Sequence, residues 1–151
     1  MKTIKGYRFV TKDLKSDHGN VQWVIGEWQK WEGELSLCHS GFHASKRPLD
    51  SLNYVFGSRW FQCEAKGNIL EDTDKFCASE MRLIKEIPER VIRQFAIDCA
   101  KRGLPIFERK YPKDLRPRKA IAAAQAYLDA PSPAKDAARA AASAAAWTAA
   151  S

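Results

Sequence analysis

The spacing of the hydrophobic residues changes at Pro88, and this change is the strongest constraint on the fold. In Arg59–Lys66 apolar and polar residues alternate, which is typical of a half-buried strand. In Glu89–Arg102 the apolar residues recur about every 3.6 positions, which is typical of a helix packed on one side. They form one predicted stripe: Val91, Ile92, Phe95, Ala96, Cys99 and Ala100. We therefore predict an α+β fold with an α+β domain at 1–87 and a basic, alanine-rich helical domain at 88–151.

Short β-rich runs separated by turn residues predict a small mixed or antiparallel sheet with one helix in the first domain. Turn residues such as Gly67-Asn68 separate these runs. The predicted strands are Tyr7–Val10, Val21–Ile25, Glu34–Leu37, Arg59–Lys66, Ile69–Leu70 and Glu80–Ile87. Trp23, Trp28 and Trp31 fall close together, and their volume suits the core of a small sheet. A ligand-stacking or interface patch is the alternative.

The stretch Cys38–Phe56 combines a histidine motif with the start of the predicted helix. Ser45 is a predicted N-cap, and Pro48 suits the first helical turn. The apolar residues that fall on one face of this helix are Leu49, Leu52, Val55 and Phe56. A strand that starts at Gly41 and leads into a capped helix is a common place to hold a polar ligand.

His43 and Ser45 are the candidate ligand-binding residues of this motif, because an imidazole and a hydroxyl facing one cleft can hold a phosphate, a ribose or an amide. With Tyr54 and Glu80 they form a set whose residue types and order resemble an ADP-ribosyltransferase-like pocket. There the histidine and tyrosine fix nicotinamide dinucleotide, and a glutamate orients the acceptor. The resemblance implies a nucleotide-binding module or enzyme centred on His43. The alternative is a structural histidine whose ring bonds a backbone carbonyl.

Four cysteines are widely and irregularly spaced, at positions 38, 63, 77 and 99. No secretory signal is recognisable, and the spacing favours reduced thiols in a cytosolic protein over a disulfide framework. An alternative is zinc ligation by Cys38, His39 and His43, with Cys63 or Cys77 brought in by the fold, although the chain has no C-x-x-C pair. We predict no metal and no cofactor, assign no catalytic residue, and expect no membrane segment.

The second domain is predicted as a three-helix bundle. Its first helix, Glu89–Arg102, ends at the C-cap Gly103. Its second helix begins after the cap Asp114, and the inner face of that helix consists of Ile121, Ala124, Tyr127 and Leu128. The third helix spans about 134–150 and follows a Ser-Pro start signal. A flexible alanine-rich tail is the alternative.

Positive charge is concentrated in the second domain. The formal net charge of the chain is +7 at pH 7. Residues 1–87 carry 13 Lys and Arg against 12 Asp and Glu, whereas residues 88–151 carry 12 against 6. Eight of these cations lie close together: Lys101, Arg102, Arg109, Lys110, Lys113, Arg116, Arg118 and Lys119. The asymmetry favours an acidic partner, either nucleic acid or an acidic protein face, and a solvated basic loop is the alternative.

Several motifs also resemble known proteins in their order and spacing. Residues 4–87 resemble a small domain of phage and prophage proteins, through G-Y-R-F-V, G-E-W-Q, L-C-x-x-G-F-H-A-S with P-L-D-x-L-x-Y, R-W-F-x-C-E-A-x-G and D-x-D-K. Residues 89–150 resemble the helical domain of bacterial immunity proteins, through R-P-R-K-A-I-A-A-A-Q-A-Y-L and the alanine-rich end. The resemblance implies a phage or mobile-element accessory protein that acts inside a bacterial cell, where counter-defence by binding is a plausible role.

Three functions follow from these observations. The first is a non-enzymatic inhibitor that binds an acidic host protein or nucleoprotein, such as a CRISPR complex, through the eight cations. The second is the nucleotide-binding or ADP-ribosyltransferase-like protein centred on His43. The third is direct, non-specific binding of DNA or RNA, with an affinity that falls steeply as salt rises. No membrane partner is expected, and the sequence predicts no particular oligomeric state.

Overall fold

The structure, a computed structural model, describes residues 3–16, 18 and 20–130. Contacts between Cα atoms divide the chain into two compact units, Met1–Glu89 and Arg90–Ser151. The first unit contains an antiparallel sheet and one short helix, and the described part of the second contains two helices. The α+β fold class predicted from the change of period is therefore confirmed. The third helix predicted at 134–150 lies outside the described residues.

The secondary-structure elements occur in the order β-β-β-α-β-β-α-α. In chain order they are β1 (Ile4–Val10), β2 (Gln29–Lys30), β3 (Phe42–Ala44), α1 (Pro48–Ser51), β4 (Arg59–Glu71), β5 (Phe76–Ile87), α2 (Glu89–Lys110) and α3 (Arg116–Asp129).

The long antiparallel hairpin of β4 and β5 is the centre of the sheet. β1 pairs with the other edge of β4, and the two short strands β2 and β3 both pair with β5. β3 lies opposite Phe76–Ala78, and backbone hydrogen bonds join Ser45, just after β3, to Tyr7 of β1 at 2.8 and 3.0 Å. The strand bearing the histidine motif is therefore fixed between β5 and β1.

Gly67 lies within β4, although the sequence predicts a turn there. The register with β5 shifts between Lys66 and Ile69, and Gly67 has a φ of 79°. The N–H of Asn68 donates to the hydroxyl of Ser79 over 2.9 Å, so the extra residue is bonded across the hairpin. Glycine adopts this φ at little cost, which makes the position a bulge inside one long strand. The separate strand predicted at 69–70 is therefore wrong.

The strands predicted at 21–25 and 34–37 are not formed. These segments carry isolated bridges, from Lys15 to Gln22 and from Ser36 to Ser40. In the first segment Trp23 is 1% exposed and packs edge-on against Phe42, whereas Val24 and Ile25 are exposed. One large buried side chain anchors this segment without a strand ladder. Of the three tryptophans, only Trp23 belongs to the core.

α1 begins at Pro48 as predicted, but its cap and its apolar face differ from the prediction. The N-cap is Arg47, and its side chain makes no capping hydrogen bond. Ser45 is buried beside β1 and is not an N-cap. The buried residue of α1 is Ser51, whose hydroxyl accepts the indole N–H of Trp60 at 3.0 Å. Because α1 is one turn long, the exposed residues Leu49, Val55 and Phe56 do not form a helical face.

The core of the first unit is a cluster of eleven buried residues from β1, β3, β4, β5 and the segment of Trp23. Its members are Val10, Trp23, Phe42, Ala44, Phe61, Cys63, Ala65, Phe76, Ala78, Met81 and Leu83. Phe61, Cys63 and Ala65, which the alternation in β4 places on one side, are all fully buried. The period-two pattern thus identified the buried face of the central strand correctly.

In the second unit α2 is longer than the sequence predicts, because it continues through Gly103 and Pro105 to Lys110. Half-buried Leu104 and Phe107 extend its contact face beyond the predicted end. Neither α2 nor α3 is long and apolar enough to cross a bilayer, and no other described helix is.

α2 and α3 pair in an antiparallel manner through polar contacts. Arg90 donates to the carbonyl of Leu128 at 2.7 Å, and the side-chain amides of Gln94 and Gln125 bond each other at 3.0 and 3.1 Å. Ile97 is the buried residue of α2, so the predicted stripe, which includes the 41% exposed Phe95, is not the contact face. Asp114 accepts the N–H of Arg116 at 3.1 Å as the predicted cap would, although Leu115 occupies the N-cap position.

Candidate ligand-binding site

A cavity of about 310 Å³ opens in the first unit beside β1 and β3. Its volume lies at the lower end of the range for small-ligand pockets, roughly 300–1,000 Å³. Its lining combines aromatic rings with a few polar groups from β1, β3, α1 and the adjoining loops. The lining residues are Tyr7, Arg8, Phe9, Ser16, His18, Val21, Trp31, Cys38, His39, Ser40, Gly41, Phe42, His43, Ala44, Ser45, Ser51, Tyr54, Phe56 and Lys75.

Arg8 contributes a cationic group to the cavity wall, and its contacts are weak. Nη2 donates to the hydroxyl of Ser16 at 3.3 Å, and Nη1 lies 3.6 Å from the sulfur of Met81. The guanidinium carbon lies 4.6 Å from the centroid of the Trp23 ring. Nε is buried and has no hydrogen-bond partner among the described residues. Burial lowers the pKa of Arg8 to about 10.

The environment of Arg8 differs from that of the other arginines on the sheet. Arg59 and Arg82 are bonded to carboxylates, Glu86 at 2.6 Å and Glu64 at 2.7 Å, whereas Arg8 forms no ion pair within the described residues. A buried charge that lacks a counter-charge destabilises the fold. The cavity at Arg8 therefore has the chemical character of an anion site.

The ring of His43 is hydrogen-bonded at both nitrogens. Nε2 accepts the backbone N–H of Cys38 at 2.9 Å, and Nδ1 lies 3.1 Å from the carbonyl oxygen of Gly41. Since Nε2 must be unprotonated to accept, Nδ1 carries the proton and donates it to the carbonyl. Burial, followed by the charge of Arg8, lowers the pKa of His43. The ring thus fixes the turn before β3, in the manner of a structural histidine.

The structure brings three of the four predicted ligand-binding residues to the cavity and leaves the fourth elsewhere. His43, Ser45 and Tyr54 line it. The hydroxyl of Tyr54 donates to Asp74 at 2.7 Å, and this bond raises the pKa of Tyr54. Glu80 does not line the cavity; it forms an ion pair with Lys66 at 3.3 Å. The set that resembles an ADP-ribosyltransferase-like pocket is therefore not assembled around one cavity.

Lys75 and Cys38 form a second polar group of the lining. Nζ of Lys75 donates to Sγ of Cys38 at 2.7 Å and lies 5.0 Å from the centroid of the Tyr54 ring. The hydrogen bond to Cys38 is the main cause that raises the pKa of Lys75. Cys38 itself has a left-handed φ of 69° and is exposed. The cavity lining contains Arg8 and Lys75 but no Asp or Glu, so its charge is positive.

Arg8 and Lys75 are absent from the site predicted from the sequence. A signal for Arg8 exists, because it shares one side of β1 with the buried Val10 and so places a charge on a core-facing side. No local signal marks Lys75. Lys75 lies in the turn between β4 and β5. The start of β5 pairs with β3, and this pairing brings the turn to the cavity.

No group of three His, Cys, Asp or Glu side chains within 3–16, 18 and 20–130 is arranged to hold a metal ion. Cys38 and His43 adjoin each other, but the contact joins a backbone N–H to the ring. Cys63 and Cys77 are buried in the sheet. The cysteines and histidines considered as zinc ligands therefore do not form a metal site among the described residues.

All eight predicted partner-binding cations are exposed, on α2, α3 and the connection between them. Two are paired with carboxylates: Arg116 with Asp114 at 2.7 Å and Arg118 with Glu108 at 2.8 Å. The hydrogen bonds of Arg116 lower the pKa of Asp114 to about 2. Local pairing therefore neutralises part of the basic segment.

The other six cations of the segment differ in their surroundings. Lys101 donates to the Gln125 amide at 2.9 Å, and Lys110 lies 5.4 Å from the Tyr111 ring centroid. None of the six forms an ion pair within the part of the chain that the structure describes. Four of them also have no side-chain hydrogen bond or ring contact there and are here called the unpaired cations: Arg102, Arg109, Lys113 and Lys119.

Two family models match the chain in the order that the sequence motifs indicate. A model described as "Domain of unknown function (DUF7666)" matches residues 4–93, and one described as "Imm-5 like putative immunity protein" matches residues 82–151. No curated protein and no solved structure matches the chain. The second part of the chain is similar to the Imm-5 like family. Because the first model covers more than half of the sequence, the chain belongs to the DUF7666 family.

Proposed function

We propose that the first unit binds a small anionic ligand in the cavity, with a phosphate or carboxylate bonded to the guanidinium of Arg8. The observation that carries this proposal is the buried Nε of Arg8, which has no hydrogen-bond partner among the described residues. An oxyanion supplies both the missing acceptor and the missing counter-charge, and guanidinium groups suit such anions.

The rest of the lining favours a ligand that also carries a flat ring. Aromatic side chains of the wall include Tyr7, Trp31, Tyr54 and Phe56. Aromatic rings stack on planar groups, while a few polar groups fix the orientation of the ligand. A mononucleotide combines an oxyanion with a planar base, so it is the ligand class with which we test the site.

Binding is favoured over general base catalysis by His43 or Tyr54 because both side chains are already hydrogen-bonded within the protein. His43 uses one nitrogen as acceptor and the other as donor to the backbone, and the Tyr54 hydroxyl is bonded to Asp74. A general base needs a free lone pair within reach of the proton it removes. In this proposal His43 shapes the wall of the cavity and Arg8 anchors the ligand.

Calorimetric titration of the wild type and of Arg8→Met with a panel of mononucleotides and inorganic phosphate tests the proposal. We expect binding by the wild type and a loss of at least about tenfold in affinity in Arg8→Met, since a hydrogen bond to a charged group contributes about 1.5–3 kcal/mol. The unliganded Arg8→Met variant should unfold at the same or a higher temperature, because an uncompensated buried charge has been removed.

Arg82→Met is the matched control, since Arg82 is paired with Glu64 and does not line the cavity. This variant should keep the wild-type affinity. Equal affinities of Arg8→Met and wild type, or no binding of any anion in the panel, would contradict the proposal.

A second function is favoured by the four unpaired cations of the second unit. In this proposal the chain is a phage or mobile-element accessory protein that acts inside a bacterial cell and inhibits a host defence system by binding an acidic protein or nucleoprotein. The similarity of residues 82–151 to a family of immunity proteins supports a protective role. Exposed cations promote encounter with an acidic surface.

Charge-reversal variants test the unpaired cations and the paired ones separately. Replacing Arg102, Arg109, Lys113 and Lys119 with Glu should abolish capture of the partner from a bacterial host lysate. Reversing Arg116 and Arg118, which already face carboxylates, should weaken capture far less. Nucleic acid in the captured material, with an affinity that falls steeply with salt, would identify direct nucleic-acid binding instead. Undiminished capture by the fourfold variant would contradict this role.

A further inference from the structure

We propose that Cys38 and Lys75 form an oxidant-responsive pair in the cavity wall, in which peroxide oxidises Cys38 and the amine of Lys75 then bonds to its sulfur. The product is a reversible S–N link between the turn before β3 and the turn before β5. The assignment concerns a modification site and does not depend on the identity of a ligand.

The geometry holds the two reacting groups together before any oxidation. Nζ of Lys75 lies 2.7 Å from Sγ of Cys38. The backbone N–H of Cys38 is fixed by Nε2 of His43 at 2.9 Å, and the ammonium of Lys75 lies over the ring of Tyr54. Pre-positioned groups react far faster than freely diffusing ones. A link between them therefore requires little movement of either turn.

The four cysteines of the chain differ in the properties that make a thiol react with peroxide. The thiolate is the form that reacts with peroxide. A neighbouring cation favours the thiolate, and exposure to solvent allows peroxide to reach it. Cys63 is buried, which raises its pKa to about 12, and burial also raises the pKa of Cys77. Cys99 is exposed on α2, and no hydrogen bond joins its sulfur to a cation among the described residues. Cys38 alone of the four combines exposure with a bonded ammonium.

The first step consumes one peroxide and oxidises the sulfur by two electrons. The Cys38 thiolate attacks one peroxide oxygen, the O–O bond breaks, and the leaving hydroxide takes a proton from the Lys75 ammonium to become water. The products are a sulfenic acid on Cys38 and a neutral amine on Lys75. Proton transfer from the ammonium therefore creates the nucleophile that the next step needs.

The second step is a condensation. The Lys75 amine attacks the sulfur of the sulfenic acid, the S–O bond breaks, and the hydroxyl leaves as water with one amine proton. The pair has then lost two hydrogens and retains no peroxide oxygen. A dithiol reverses the step, because its thiolate attacks the sulfur and the amine leaves, as in thiol–disulfide exchange.

Peptide mapping by mass spectrometry after treatment of the full chain with hydrogen peroxide tests the pair. We expect a cross-linked peptide that joins residues 38 and 75, with a mass lower by two hydrogens, which disappears after reduction by dithiothreitol. The rate of oxidation at Cys38 should exceed that at Cys99, since an ammonium is bonded to the sulfur of Cys38 and none to that of Cys99 among the described residues.

Two variants of Lys75 distinguish the steps while leaving the cysteine in place. Lys75→Arg keeps the positive charge but has no amine, so a sulfenic acid on Cys38 should form and be trapped by dimedone without a cross-link. Lys75→Met removes the charge as well, and its Cys38 should be oxidised no faster than Cys99. A wild type without the cross-link, a link that retains oxygen, or equal oxidation of Cys38 and Cys99 would overturn the proposal. Peptide mapping needs no nucleotide. A negative result for the Cys38–Lys75 link is therefore distinguishable from an absence of anion binding at Arg8.

Discussion

Two side chains of the cavity wall, Arg8 and His43, have opposite hydrogen-bonding states. His43 has an acceptor and a donor for its two ring nitrogens, whereas Arg8 has a buried Nε without a partner among the described residues. A hydrogen-bonded, half-buried ring stabilises the turn that it bonds, and an unsatisfied guanidinium has a donor left for an external acceptor. At the residue scale the anion site that we propose is therefore centred on Arg8, whereas His43 bonds the turn before β3.

The lowered pKa of His43 predicts a loss of stability in mild acid. Because the folded chain binds this proton less readily than the unfolded chain, the free energy of unfolding falls as the pH drops through the ordinary histidine range near 6.5. Above that range the contribution is complete. Urea denaturation from pH 8 to pH 5 should show this decline in the wild type.

The variants His43→Ala and His39→Ala separate this effect from general acid destabilisation. His43→Ala should be less stable than wild type at pH 8, by about 0.5–1.5 kcal/mol, because the Cys38 N–H loses its acceptor. Its stability should depend less on pH than that of the wild type. His39→Ala removes an exposed histidine of the same loop and should keep the wild-type decline. A wild-type profile in His43→Ala would refute the interpretation.

At the element scale, two glycines that the sequence marks as ends of elements lie inside them. Gly67 forms a bulge in β4, with a φ of 79°, and a Cβ there would lie 2.2 Å from the hydroxyl oxygen of Ser79. Gly103 lies within α2, and a Cβ there would meet nothing within 4 Å. The same residue type is therefore required at one position and unfavourable at the other.

Alanine substitution should change stability in opposite directions at these two positions. Gly67→Ala should destabilise the chain by about 1–3 kcal/mol, because the backbone conformation and the contact with Ser79 both oppose a side chain. Gly103→Ala should stabilise it by about 0.8–1 kcal/mol, the difference in helix propensity. Urea midpoints of the two variants measure the signs. A stabilised Gly67→Ala or a destabilised Gly103→Ala would show that the corresponding element is assigned incorrectly.

At the scale of the whole molecule, one buried cluster holds the sheet and the cavity in place. Phe61 is fully buried at its centre, on the strand that pairs with both β1 and β5. Small domains are stable by only about 5–15 kcal/mol, so a single core truncation removes a large share of that margin. The cavity wall formed by β1 and β3 depends on this cluster, to which Phe42 and Ala44 belong.

Phe61→Ala should destabilise the chain by about 3–5 kcal/mol, since it removes buried area and leaves a void. Phe56→Ala makes the same chemical change at a side chain that is 51% exposed, and it should cost less than about 1 kcal/mol. Thermal unfolding followed by near-ultraviolet circular dichroism compares the two variants with wild type. Similar losses in both would show that the cluster does not dominate stability.

The fold could be predicted where local pattern and tertiary environment agree. Alternation in β4 identified Phe61, Cys63 and Ala65 as one buried face, and the change of period at Pro88 identified the change from sheet to helices. The segments at 21–25 and 34–37 were predicted wrongly because β-propensity favours a strand without providing a partner for it. Trp23 is buried there through packing and not through a ladder.

By itself, the sequence determined the fold class, the central strands and the helical nature of the described second part, and it marked the segment around His43 as a candidate site. Only the tertiary structure decided that the cavity is cationic, because Arg8 and Lys75 are 67 positions apart in the chain and meet the same wall through the pairing of β1, β3, β4 and β5. Hydrophobic period is a property of neighbouring residues and can be read along the chain. Whether a buried charge finds a counter-charge depends on distant residues, and that is decided only when the strands pair.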